Sequence, residues 1–448
     1  MEIASSRGQS STGEAELRAE LQRTRDELAT VRKNAEATGE QTRLRLEKLE
    51  QGAAASSSAV TTCATPPITW RELTPSGGKL RFYGYLRADV QHDSRLPDNS
   101  IFAQYARSRD AFLLPASSLT MTPRWSRLGV DQAPSKLGAL GGPKMTGKLE
   151  IDFYNIENQG LLADSREFPR IRHAWVRADW AQLWLLAGQA ADVISPLNPM
   201  GGDVSILWNG GNLGDRRPQL QLGWHARPDT SAAGWSFVAA AGQSGAVDNL
   251  RDLSLAGAPN PLRGADSGEP TWEGRLGYER AVTGRKDKLQ AGLWGHRARQ
   301  QVDRPIAGRR EFRSHSFGAD LQVPVASWLT LRGETWTGAN LSDVRGGICQ
   351  GVDATTGKEI RSAGGWGEMA FKLSSRYTLG LGYAEDTPGF RDVSVGGRTG
   401  NRVQTVANRY RLGERIELGL DLNRYVTNFS GLRDGEDNRL TFYVQNSF

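Results

Sequence analysis

Charged side chains in this chain recur at every second position within short apolar segments, and that spacing limits the chemistry they can do. Arg81, Arg87 and Asp89 share one parity of LRFYGYLRADVQ (80–91). Lys148, Glu150 and Asp152 alternate with Leu149 and Ile151, and Arg275, Arg332, Glu334 and Arg415 stand in segments of the same kind. A period of two puts such residues on one face of a β-strand and the apolar residues on the other. If the strands close on themselves, the charges share one wet interior. Mixed charge across such a lumen gives a transverse field and a size-limited aqueous passage. The chain has 46 arginines and 10 lysines, and guanidinium grips carboxylates and phosphates through paired hydrogen bonds. A preference for small anionic solutes follows as an expectation.

The elements that position these residues are legible from residue 79 to the last residue, 448. Sixteen strands are predicted: 79–91, 119–132, 145–156, 168–180, 182–190, 218–228, 234–243, 271–283, 287–299, 311–324, 327–340, 361–373, 376–386, 402–412, 415–427 and 437–448. Their connections alternate between brief turns and long loops, with 133–144 as the exception. That is the asymmetry of periplasmic turns and extracellular loops in a transmembrane barrel. The last strand, RLTFYVQNSF (439–448), alternates and ends on an aromatic residue, and so resembles the C-terminal strand of bacterial outer-membrane barrels. A soluble β-sandwich would also alternate but has little reason to sort its loops by length. Strand 168–180 contains RIRHAWVR, which neither parity sorts. A subunit interface, where such a face meets protein rather than lipid, accounts for it, and so does a wrong parity.

Bulk composition fits this reading. No run of ~18 apolar residues could cross a bilayer as a helix, and the mean hydropathy is −0.51. Barrel strands of ~10 residues escape hydropathy windows because half their side chains face water. The net charge of +6 is spread over alternating segments rather than one basic arm, which argues against nucleic acid as a partner. Two cysteines, Cys63 and Cys349, are too few for a thiolate metal site, and no metal or other cofactor is expected. Cys63 and Cys349 fall on opposite sides of the predicted topology, so an intrachain disulfide between them would refute it. Export of a barrel implies that a signal peptide has been removed ahead of this start, because MEIASSRGQS lacks an apolar core.

Ahead of the barrel (79–448) come three further regions: a flexible start (1–13), a helical segment (14–50) and a linker (51–78). Leu17, Leu21, Leu28 and Val31 form a heptad seam with Thr24 and Ala35. Such a helix would associate with copies of itself, and topology puts it in the periplasm.

Several motifs are similar to those of one family. GKLEIDFYN (147–155), RIRHAWVRADW (170–180), LLAGQ (185–189) and GNLGDRRPQLQL (211–222) resemble the DcaP-like outer-membrane porins. GGICQGV (346–352), GGWGE (364–368) and LGLGYAEDTP (379–388) extend the resemblance over roughly 79–448. It implies a homotrimer of sixteen-stranded barrels in outer-membrane lipid, with N-terminal helices trimerising in the periplasm and small, often anionic, solutes passing through. It also implies that loop 191–217 folds into the channel, where Asp192, Asp203, Asp215, Arg216 and Arg217 would narrow it.

Two rivals stand beside a diffusion channel. An enzyme is disfavoured: five histidines show no phospholipase motif and no H-E-x-x-H metal motif. An outer-membrane anchor, with the helix tethering the membrane to the cell wall or a periplasmic partner, is the stronger alternative.

Overall fold

The computed structural model describes residues 79–111, 117–154, 169–226, 233–245 and 267–448, together with Gln22. The heptad seam, the linker 51–78 and Cys63 lie outside the described residues.

Alternation builds one antiparallel sheet that closes on itself. Its segments are β1 (Leu80–Asp93), β2 (Ser118–Thr122), β3 (Arg127–Lys136), β4 (Lys144–Asp152), β5 (Arg170–Asp179), β6 (Leu183–Ala191), β7 (Arg216–His225), β8 (Gly234–Gly242) and β9 (Thr271–Arg280). They continue as β10 (Leu289–Ile306), β11 (Arg309–Ala326), β12 (Leu329–Ala339), β13 (Arg361–Lys372), β14 (Tyr377–Pro388), β15 (Arg398–Leu412), β16 (Ile416–Phe429) and β17 (Gly435–Ser447). β1 pairs with β17 along one edge and with both β2 and β3 along the other. β2 and β3 are therefore one stave, interrupted at 123–126, and the barrel has sixteen. Pro123 has no N–H to give a ladder, which suits a break at that point.

Two connections differ from the sequence reading, both because strands run further than alternation suggests. β3 and β4 extend to Lys136 and Lys144, so the exceptional stretch 133–144 shrinks to a turn at 137–143. β10 and β11 are 18 residues each and meet at Ala307–Gly308, with φ of +47° and +81°. Two left-handed residues make the tight turn whose twist matches a hairpin.

The outer face is apolar. Leu86 is 60% exposed, Leu149 48%, Leu220 56%, Leu293 52% and Leu321 51%, all within strands. Trp180, Trp235, Trp328 and Phe448 are exposed near the short-turn rim, and Trp272 and Phe317 toward the other. An apolar band bounded by aromatic residues is what hydrocarbon and its interfaces demand of a barrel exterior.

The segment that parity could not sort contains a β-bulge. Glu150 pairs with His173 but Ile151 with Ile171, leaving Arg172 as the extra residue of β5. Ile171 and Val176 are both exposed, at 49% and 54%, although five positions apart, because the bulge switches parity between them. Arg170 and Arg172 consequently face inward together.

Candidate functional site

Residues 192–215 leave the wall at β6, cross the interior and return at β7. The sequence of this loop is rich in Gly and Pro, so its backbone N–H groups find no regular ladder and need acceptors elsewhere. Wall carboxylates supply them. Val193 N donates to Glu273 at 2.5 Å, Leu197 N to Glu334 at 2.8 Å, and Met200 N and Gly201 N to Glu368 at 2.7 and 3.0 Å. The Ser195 hydroxyl also donates to Glu334, and Arg332 Nε donates to Glu368 at 2.8 Å. Farther round, Gly202 N donates to Asn423 Oδ1 at 3.2 Å and Arg409 to the Met200 carbonyl at 2.8 Å. The loop thus lies along the wall from β9 to β16.

Gly211 shows how closely. Its φ is +133°, and a Cβ there would meet Glu385 N at 2.9 Å and the Gly365 carbonyl. Trp336 Nε1 donates to the Gly211 carbonyl at 2.7 Å. Two other long loops lock onto the same region. Cys349 N donates to Asn209 Oδ1 at 2.8 Å, and Asn401 Nδ2 bridges the Gln104 and Asn209 carbonyls at 2.8 and 2.9 Å. Under them lie apolar clusters, one containing Ala106, Leu197, Leu207, Trp366 and Tyr425, another Ile194, Leu213, Trp294, Trp336 and Leu341. Part of the expected wet interior is therefore a packed hydrophobic core.

The wall of β3, β4 and β5 holds a different arrangement. Arg170 and Arg172 reach Asp152 at 2.6 and 2.8 Å, Arg172 also reaches Glu150 at 2.8 Å, and Arg127 reaches Glu150 at 3.4 Å. Arg216 feels the charges of Arg172, Arg170 and Arg127 and, with opposite sign, that of Asp215. Among the described residues no acidic side chain lies within ion-pair distance of its guanidinium, which sits 5.5 Å from the Trp208 ring. Arg345 lies 5.3 Å from the same ring and donates to Asp215 at 2.7 Å. Burial pushes the Asp215 carboxyl up, but Arg345, Arg217 and the Arg216 N–H outweigh it and hold it below the usual range. Trp208 belongs to a cluster with Phe102, Trp125 and Tyr154, with Trp125 and Tyr154 stacked at 4.7 Å. Three arginines thus engage two wall acids, while Arg216 and Arg345 lie at the Trp208 ring, with Arg345 paired to Asp215.

The structure distributes the residues singled out in the sequence among three settings. Arg87, Asp89, Lys148, Glu150 and Asp152 face inward on the wall of β1, β3, β4 and β5, with Arg87 paired to Asp89 and Lys148 to Asp131 at 2.9 Å. Arg275, Arg332 and Glu334 also face inward, but Arg275 is tied to Asp320 at 2.7 Å and the other two serve the inserted loop. Arg81 is a rim residue, with a side chain 74% exposed beside Asp131, and Arg415 lies in the turn before β16. In the inserted loop, Asp203 opens a short 3-10 turn. Arg217 clamps Asp192 at 2.8 Å and Asp343 at 3.1 Å, a buried knot at the loop base rather than a free constriction group. Sequence reasoning did not single out Arg127, Arg170, Arg172 or Arg345. The first three carried a signal, inward parity plus an unsortable strand, whereas Arg345 reaches the site through a loop fold that no periodicity reports.

His296 deserves placing because it touches two hydroxyls. Its Nδ1 lies 2.5 Å from Ser316 Oγ and its Nε2 2.9 Å from Ser314 Oγ, and Ser314 in turn donates to the Asn340 carbonyl. All three side chains are buried in the wall. This is a relay that satisfies polar atoms beneath the loops, and among the described residues no acid hydrogen-bonds the imidazole to orient it.

No family model and no curated relative matches the chain. Solved structures do. The outer membrane channel DcaP of Acinetobacter baumannii superposes with a TM-score of 0.65 at 17% identity, over 84% of this chain and 99% of that one. This chain has the DcaP fold. An anion-selective porin from Comamonas acidovorans gives 0.49 at 13% identity, covering 83% and 100%, and Pseudomonas putida OprB gives 0.47 at 12%, covering 82% and 94%. At these identities the likeness is one of fold.

Proposed function

We propose that the chain is a porin of the bacterial outer membrane, a passive diffusion channel for small hydrophilic solutes that favours anions. The observation that carries this reading is Arg216, a guanidinium without an acidic partner among the described residues, set among Arg127, Arg170 and Arg172. An anion entering that space gains charge-assisted hydrogen bonds from Arg216, whereas a cation meets a local excess of positive over negative charge. Nothing in this reading calls for a covalent step, so we take the chain to be non-enzymatic.

Assembly as a homotrimer is part of the proposal. β4 to β9 are 9 or 10 residues long, against 11 to 18 for β10 to β17, and a low wall suits a side that packs on partner copies. The helix predicted over 14–50, with Leu17, Leu21, Leu28 and Val31 at its seam, would join the three chains in the periplasm. The deciding measurement is the reversal potential of the purified protein in a planar bilayer under a potassium chloride gradient. A potential of the sign set by chloride supports the reading; a cation-selective pore, or none, overturns it.

A further inference from the structure

The short-turn mouth of the barrel holds a second charged cavity on the far side from Arg216. It has a volume of about 780 Å³ and is roofed by Met200, the residue at which the inserted loop turns along the wall. Five cationic side chains line it, Lys286, Lys372, Arg376, Arg409 and Arg411, against the acids Asp287 and Glu417. Their engagement differs. Lys372 is paired with Asp287 at 2.8 Å, Arg409 with Asp421, and Arg411 only loosely with Glu417 at 3.7 Å. Among the described residues Lys286 and Arg376 have no acid within ion-pair distance. The inward parity of Lys372, Arg409 and Arg411 follows from the register: Lys372 and Arg409 both face Thr378, and Arg411 faces Glu417.

We propose that this cavity is a binding site for a multiply charged oxyanion of the oligophosphate class, reached from the compartment that the short turns face. Three observations converge on that ligand. The lining carries more positive than negative charge. Two of its cations are unpaired and a third is weakly paired, so a ligand does not have to break a short ion pair to bind. The volume accommodates a triphosphate together with part of its water shell. A singly charged anion would engage one of these cations, while a chain of phosphates spans several. Headgroup phosphates of lipids would approach from the apolar outer face, whereas Lys372, Arg409 and Arg411 point inward by their register and Lys286 and Arg376 reach the same cavity from exposed turns, so the ligand is a soluble one. Bound there, it lies against Met200, whose carbonyl and N–H are both held by the wall, and it obstructs the mouth beneath the loop.

The test uses inorganic tripolyphosphate and the detergent-solubilised full chain. Calorimetric titration at low salt reads binding directly, so an empty site is not confused with a silent pore. The wild type should bind one tripolyphosphate per chain, and K286A/R376A should weaken binding at least about tenfold through loss of two charge-assisted contacts. K136A/K144A removes the same charge from the strand ends that flank the 137–143 turn on the same rim and should change affinity less than about twofold, the size of a screened long-range effect. In a bilayer, tripolyphosphate added on the short-turn side should reduce current more than the same addition opposite. Absence of wild-type binding, or equal losses in the two double variants, overturns the site.

Discussion

The two inner walls of this barrel are written in the same alternating code and have opposite fates. On β3 to β5, Arg127 and Arg170 keep 28% and 31% of their side-chain surface. The acids there, Glu150 and Asp152, are as buried (6% and 1%) as Glu334 and Glu368 on β12 and β13 (5% and 4%), but the first pair meets arginines and the second the N–H groups of the inserted loop. Exposed wall charge can meet a solute; covered wall charge meets backbone N–H groups. Parity alone tells that a residue faces inward, and a loop decides whether inward means water. A carboxylate under a loop is then a structural acceptor, and its removal strands several donors at once.

The sharpest way to break the comparison is to cut the covered wall. Glu334→Ala strips acceptors from Leu197 N, the Ser195 hydroxyl and Trp366 Nε1 together. Each stranded buried donor costs about 1–3 kcal/mol, so the variant should lose thermal stability and the loop should leave the wall. Single-channel recording should show altered conductance with frequent transitions. Wild-type melting and a quiet, unchanged channel would mean that the staples do not hold the loop. Gly211→Val should act next, since a side chain there collides with the β13 and β14 backbone. Its expected effect is a disturbed loop with the barrel intact, read as changed conductance at retained heat-resistant folding in detergent.

On the open wall the expected change is in selectivity, with little in stability. Arg216→Glu reverses a guanidinium that has no acid within ion-pair distance among the described residues, so it removes no ion pair. The reversal potential should move toward the cation side by tens of millivolts in a tenfold gradient, while the melting temperature stays close to wild type. A selectivity indifferent to this reversal would remove Arg216 from the solute pathway.

Why one wall was easier to read than the other has a physical answer. Strand parity is local, so β1, β4 and β16 announce their inner faces residue by residue. A bulge is also local but silent: one extra residue in β5 made RIRHAWVR unsortable, although that confusion was itself the mark of the site. The inserted loop is expected in the lumen from family resemblance, yet its partners Glu273, Glu334 and Glu368 are not, since they sit 80 to 168 residues away in sequence. Arg217 and Asp192 were read as narrowing charges, and the packed knot with Asp343 places them in the loop base instead. Hydrophobic loop residues such as Ile194 and Leu213 carry no period, so the core inside the lumen had no signature.

The smallest expected effect lies above both walls, where Asp353 joins two outer loops. It accepts hydrogen bonds from Thr356 N, Ser394 N and the Ser394 hydroxyl, each at 2.8 Å. Burial pushes its carboxyl up, but these donors outweigh burial and hold it below its ordinary 3.8. A depressed carboxyl contributes stability that is present above the unfolded value and is lost as pH falls through the lower folded one. The tie should therefore persist through pH 5 and weaken only in strong acid. Asp353→Asn keeps the shape and removes the charge, and should loosen 353–356 and 393–397 while leaving β13 and β14 untouched. Hydrogen exchange at pH 5 reads this directly: faster exchange confined to those two segments supports the tie, and unchanged exchange there means the loops are held by Val352, Ile360 and Val393 packing instead. Either way the channel walls should keep their protection, because the loops rest on the barrel and the barrel closes without them through the β1–β17 register.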